Sequence, residues 1–154
     1  MADAALLLAD EGETEALGQW LGAQLRIGDV VTLAGTLGAG KTTLARGILG
    51  ALGLKGEAPS PSFAIVIPYT PPEVRLPIAH VDLYRLEEGG DVRELGLDEL
   101  ASDGVLLVEW ADRLADAWPH ALALTLDALP EVGRRLTWGL PAAWAGRWPP
   151  PLQR

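Results

Sequence analysis

Eight consecutive residues, Gly35-Thr36-Leu37-Gly38-Ala39-Gly40-Lys41-Thr42, fit the phosphate-binding pattern G-x-x-x-x-G-K-[ST]. Lys41 is one of only two lysines, against ten arginines, so lysine stands where the chemistry asks for a compact ammonium in a chain that otherwise avoids it. In such a loop the backbone N–H groups of Gly35, Leu37, Gly38, Ala39 and Gly40 turn toward phosphate oxygens, and glycine permits the close approach. The helix that follows adds its positive end to the same anion. Lys41 is expected to reach the β- and γ-phosphates, Thr42 to ligate Mg²⁺, and Thr43 to bond the α-phosphate.

Hydrolysis needs more than a cradle. A carboxylate at a second strand end must hold the metal through water or orient the attacking water. Glu109 closes the apolar run Val105 to Val108, and Asp82 closes His80-Val81-Asp82. The residues alone leave the division of roles between them open. His80 reads as a packed strand histidine rather than a base or ligand. Ser60-Pro61-Ser62-Phe63 is a stiff polar loop after the phosphate-loop helix, and its position suits a switch segment whose hydroxyl senses the γ-phosphate and Mg²⁺. Trp110 reads equally as core packing or as a lid on the site. The chain contains no asparagine, so the N-K-x-D guanine reader cannot exist, and ATP becomes the expected nucleotide.

These groups need strands and helices to bring them together. Leu6 to Leu8 reads as a strand. Asp10 with Glu13 is a helix start, and Ala16, Leu17, Trp20, Leu21 and Leu25 form the apolar face that follows. Val30 to Ala34 is a strand buried on both faces and feeds the glycine loop. Leu44, Ile48 and Leu52 repeat every four residues as a helix that Gly53 stops. Phe63 to Ile67 and Leu76 to Leu83 read as a hairpin around Pro71-Pro72, and Glu87 to Leu100 as one or two short surface helices. Val105 to Val108, Ala121 to Leu126 and Arg135 to Trp138 read as later strands. The fold class is α/β: a single P-loop NTPase domain, residues 1–140, with a mainly parallel central sheet, antiparallel strands and helices on both faces. Residues 141–154, rich in proline, arginine and tryptophan, read as a weakly ordered tail.

Composition narrows the partners. A chain of 154 residues with 49% hydrophobic content fits one domain with a real core. No cysteine is present, which excludes disulfides and thiolate metal sites and suits a reducing cytoplasm. No signal peptide or membrane span is read, so a soluble, cytoplasmic protein is expected. The net charge is −9, and residues 132–154 carry four arginines and no acid, so the body is more acidic still. An acidic body repels a phosphate backbone and disfavours direct nucleic-acid binding; a basic protein surface suits it better.

In order, Gly35 to Thr43 with Arg46-Gly47, Ser60-Pro61-Ser62-Phe63, His80-Val81-Asp82-Leu83-Tyr84-Arg85-Leu86, Glu94-Leu95-Gly96 and Val108-Glu109-Trp110 resemble the TsaE (YjeE) family. The resemblance runs from about Asp10 to Arg134. It implies a bacterial ATPase, weak alone and Mg²⁺-dependent, required for threonylcarbamoyladenosine formation in tRNA. It also implies assembly with TsaB and TsaD, with the transfer itself on TsaD, tRNA met only indirectly, and the ATPase resetting the complex. By position it makes Lys41 the phosphate lysine, Thr42 and Glu109 the metal-side ligands, Asp82 a catalytic-site acid, Ser62 the switch hydroxyl and Trp110 the flanking aromatic. Arg134 matches a late Gly-Arg pair near the nucleotide, and Glu11 and Thr14 fall in the segment bordering adenine. Two positions depart from the family: Thr36 replaces its usual Asp, and Ser62 its usual Thr. A nucleotide-gated binding module with incidental hydrolysis is the alternative, and a small-molecule kinase, suggested by Asp112-Arg113, a weaker one.

Overall fold

The computed structural model describes residues 5–35, 40–55, 66–82, 96–109, 118–130 and 133–150. Seven strands, β1 (Ala5–Leu8), β2 (Val30–Gly35), β3 (Val66–Tyr69), β4 (Ile78–Asp82), β5 (Val105–Glu109), β6 (Leu122–Ala128) and β7 (Arg134–Gly139), form one sheet in the order β1-β7-β6-β2-β5-β4-β3. The inner strands β6, β2, β5 and β4 are parallel. The flanking pairs β3–β4, β6–β7 and β1–β7 are antiparallel. Buried on both faces, β2, β4 and β5 are nearly uninterrupted apolar runs, as inner parallel strands must be. Pro68 is tolerated in β3 because β3 is an edge strand.

Helices α1 (Glu11–Gln24) and α2 (Lys41–Ala51) cover one face, and α3 (Leu97–Asp103) the other. Asp10 caps α1 by accepting from the Glu13 amide at 2.9 Å, while Glu13 Oε1 accepts from the Ala9 amide at 3.1 Å, so the D-x-x-E start signal forms. Leu17, Leu21 and Leu25 face the core, Trp20 is half-buried, and Ala16 is exposed rather than inside. Besides leucine, and Thr14 in its first turn, α1 buries glycine. A Cβ on Gly18 would run into the Leu44 carbonyl, and one on Gly22 would lie 2.6 Å from the Ile48 carbonyl. The two helices cross backbone to backbone through Gly18, Gly22 and Gly47, which pins the start of α2 to α1. Leu44, Ile48 and Leu52 fill the remaining space, each burial contributing about 1.5–3 kcal/mol.

The expected hairpin exists, its first strand described over Val66–Tyr69 and so running two residues past Ile67; Phe63 to Ile65 lie outside the described residues. Residues 141–150 are not weakly ordered. Trp144 is wholly buried and Trp148 is 3% exposed, with Trp148 edge-on to Trp20 at 5.8 Å and to Trp138 at 5.4 Å between ring centroids. Arg147 lies 4.0 Å from the Trp144 ring centroid and grips both oxygens of Asp29, at 2.6 and 3.0 Å. Among the described residues no helix is long and apolar enough to cross a membrane.

Candidate functional site

The four parallel strands end on one edge of the sheet, where open α/β sheets bind their ligands. Strand alternation decides which face each terminal side chain meets. Ile78 packs on the α1–α2 side and Ala79 and Val81 on the other, so His80 and Asp82 belong with Ile78. Val105 and Leu107 pack on the α1–α2 side too, which puts Glu109 there. Asp82 is the direct register partner of Glu109, and Glu109 in turn pairs with Leu33, two residues before Gly35. Two carboxylates and the start of the glycine loop therefore share one edge and one face.

On that face α2 begins at Gly40. Its φ of +107° is left-handed, and no side chain caps the helix start. The positive φ favours glycine; an added Cβ would also stand 2.7 Å from an Arg134 guanidinium nitrogen, which would have to shift. Lys41, 5% exposed, donates from Nζ to the Gly35 carbonyl at 3.0 Å, closing the ends of the loop over each other. Thr42 and Thr43 are half-buried in the first turn of α2. Thr14 is fully buried on α1; its hydroxyl donates to the Asp10 carbonyl at 3.0 Å and accepts from Arg134 at 3.3 Å. Arg134, at the start of β7, thus ties the Thr14 turn to the mouth of α2. Glu11 is exposed in the first turn of α1.

Asp82 is 6% exposed and Glu109 5%. Burial of carboxylates at this depth requires partners. Glu109 Oε2 has one in His80 Nε2 at 2.6 Å, with His80 itself 2% exposed. His80 stands opposite Leu107, so Glu109 is its diagonal neighbour on the same face. Reading His80 as a packed strand residue missed this. The signal was available: two strands of like alternation, each ending in an acid, put a polar side chain two places before one acid on the same face as the other. Among the described residues no group of three or more His, Cys, Asp or Glu side chains is arranged to hold a metal ion. Leu37, Gly38, Ala39, Ser62 and Trp110, together with Thr36, lie outside the described residues.

The model of the family described as "Threonylcarbamoyl adenosine biosynthesis protein TsaE" matches residues 8–136. The chain is 40% identical over 136 residues to a tRNA threonylcarbamoyladenosine biosynthesis protein TsaE of Streptomyces coelicolor, covering 84% of this chain and 92% of that protein. It is 42% identical over 109 residues to the protein of that name from Bacillus subtilis, covering 70% and 66% of the two chains. The crystal structure of YdiB from Bacillus subtilis superposes with a TM-score of 0.70 at 32% identity, covering 87% of this chain and 82% of that one. The identity spans the strands, helices and site edge described above, and the chain belongs to the TsaE family.

Proposed function

We propose that this chain is the Mg²⁺-dependent ATPase that supports formation of threonylcarbamoyladenosine in tRNA, cycling a TsaB–TsaD assembly rather than performing the transfer. The observation that carries this is the convergence of Lys41, Asp82 and Glu109, each at most 6% exposed, on the strand edge where Gly40 opens α2. Ion-pairing and buried-charge costs make such a gathering expensive unless it serves a ligand.

The residues fit a nucleoside triphosphate. The uncapped start of α2, left-handed Gly40 and the Lys41 ammonium form a donor-rich cradle for phosphate. Lys41 exchanges one oxygen acceptor, the Gly35 carbonyl, for others on the β- and γ-phosphates, which needs little rearrangement. Arg134 and Thr14 close the flank of the cradle beside Gly40. Thr42 and Glu109 are the residues that would hold Mg²⁺. The ion, when bound, neutralises charge developing between the β- and γ-phosphates. Glu109 and Asp82 orient the attacking water and accept its proton. Ser62 and Trp110 take the switch and flanking roles that the family resemblance implies. The acidic charge disfavours a direct grip on tRNA and suits basic surfaces on protein partners.

The test is Glu109→Gln, assayed for ATP binding, ATP hydrolysis and tRNA modification with TsaB, TsaD and tRNA. Hydrolysis is expected to fall about 10²–10⁴-fold with nucleotide binding retained. A single round of modification is expected to survive while multiple rounds stop. A variant that sustains full multiple-turnover modification would establish the nucleotide-gated module instead.

A further inference from the structure

We infer that His80 is a positioning residue for Glu109, fixing the orientation of its carboxylate so that Oε1 keeps its lone pairs for the site. This rests on the hydrolytic reading of Glu109 above. The bond from His80 Nε2 to Glu109 Oε2 is 2.6 Å long and joins side chains that are 2% and 7% exposed. For the carboxylate to accept, Nε2 carries the hydrogen. Nδ1 is buried and has no hydrogen-bond partner among the described residues, so the imidazole has no rival carboxylate there to turn toward. The ring is wedged between strand neighbours, with Ile67 and Leu107 as its register partners on either side. A rigid donor on a buried strand thus holds a flexible carboxylate, whose side chain would otherwise sample several rotamers.

The consequence is geometric. With Oε2 accepting from His80, the carboxylate is fixed in orientation and Oε1 keeps both its lone pairs, which suits a hydrogen bond from water or a metal contact at the edge where β4 and β5 end. His80 itself touches neither phosphate nor water in this scheme.

The experiment compares His80→Gln with His80→Asn, with His80→Phe as a third variant. A glutamine amide nitrogen reaches the position of Nε2; an asparagine nitrogen reaches only that of Nδ1. Both introduce a buried amide of similar cost to folding, so melting temperatures serve as the control. His80→Gln is expected to keep ATP turnover within about threefold of the unaltered protein, and His80→Asn and His80→Phe to lose about 10–100-fold, the range for residues that orient a site ligand. KM for ATP is expected to hold within about twofold in all three, because nucleotide binding does not use the oriented carboxylate. Equal turnover in His80→Gln and His80→Asn overturns the inference, as does a loss that falls on KM instead of kcat. If His80→Phe does not fold, the Gln and Asn pair decides the matter. Glu109→Gln separates the two claims. Full hydrolysis in that variant removes the role of Glu109 and this inference together; loss there with Gln and Asn equal at position 80 removes only the positioning role.

Discussion

Two buried carboxylates sit at opposite edges of the same sheet, and they are held differently. Asp29 precedes β2 at the edge where the parallel strands begin, and Arg147 saturates it. Both carboxylate oxygens accept from the guanidinium, Oδ2 also accepts from the Arg26 amide at 2.7 Å, and Arg147 further donates to the Gln24 and Ala143 carbonyls. The Trp144 ring lies against the same guanidinium. At the other edge, where the strands end, Glu109 is held through one oxygen by an imidazole whose second nitrogen has no partner among the described residues. Asp29, bonded through both oxygens, fixes a chain segment and leaves no oxygen unengaged, although Arg147 Nε, like His80 Nδ1, has no partner among the described residues. A half-engaged buried carboxylate keeps an acceptor available, and the protein bears the desolvation cost at the edge where the glycine loop opens.

The largest effect should come from the strand-end edge. Lys41→Ala is expected to lower kcat/KM for ATP about 10²–10³-fold or more, since the developing phosphate charge loses its ammonium. Hydrolysis at the unaltered rate would dissolve the contrast, because the buried charges there would then be structural like those at Asp29. At the strand-start edge, Arg147→Ala should act on stability alone. It strands Asp29 with a fraction of its partners and is expected to cost about 3–5 kcal/mol in denaturant unfolding followed by tryptophan fluorescence. A specific loss of kcat in the folded variant would show that the segment 141–150 reaches the site after all. The smallest effect lies between the edges, in the helix crossing. Gly18→Ala must push α2 from α1 and is expected to cost about 1–3 kcal/mol. Gly50→Ala meets nothing within 4 Å and should instead gain about 0.5–1 kcal/mol from helix propensity. Thermal melts of the pair measure how tightly the crossing holds the start of α2; equal shifts would mean the glycine contact is not what joins the helices.

Much of the site edge was legible in the chain. The glycine loop announced itself, and the apolar runs before Asp82 and Glu109 read as strands that end in acids, because a doubly buried strand has few polar residues to hide. The strand β3 runs to Tyr69 where the reading stopped it at Ile67, since an edge strand tolerates Pro68. Ala16 was expected inside and is exposed, because Gly18 and Gly22 rather than alanine face α2. Glycine carries no hydrophobic signal, so a periodicity argument cannot see a helix face made of it. The last segment was misread for a related reason: proline and arginine content describes local preference, whereas the partner of Arg147 is 118 residues away.

The sequence by itself determined the glycine-loop motif, the fold class, the acids at two strand ends and the family resemblance, all of which rest on local spacing and periodicity. Only the tertiary structure decided the pairing of His80 with Glu109, the meeting of Arg134, Thr14 and Gly40, and the docking of Trp144, Arg147 and Trp148. Each joins residues far apart in the chain, and their contact depends on strand order, register and the crossing of α1 over α2. Those are set by the whole packed core, which no short window of sequence contains.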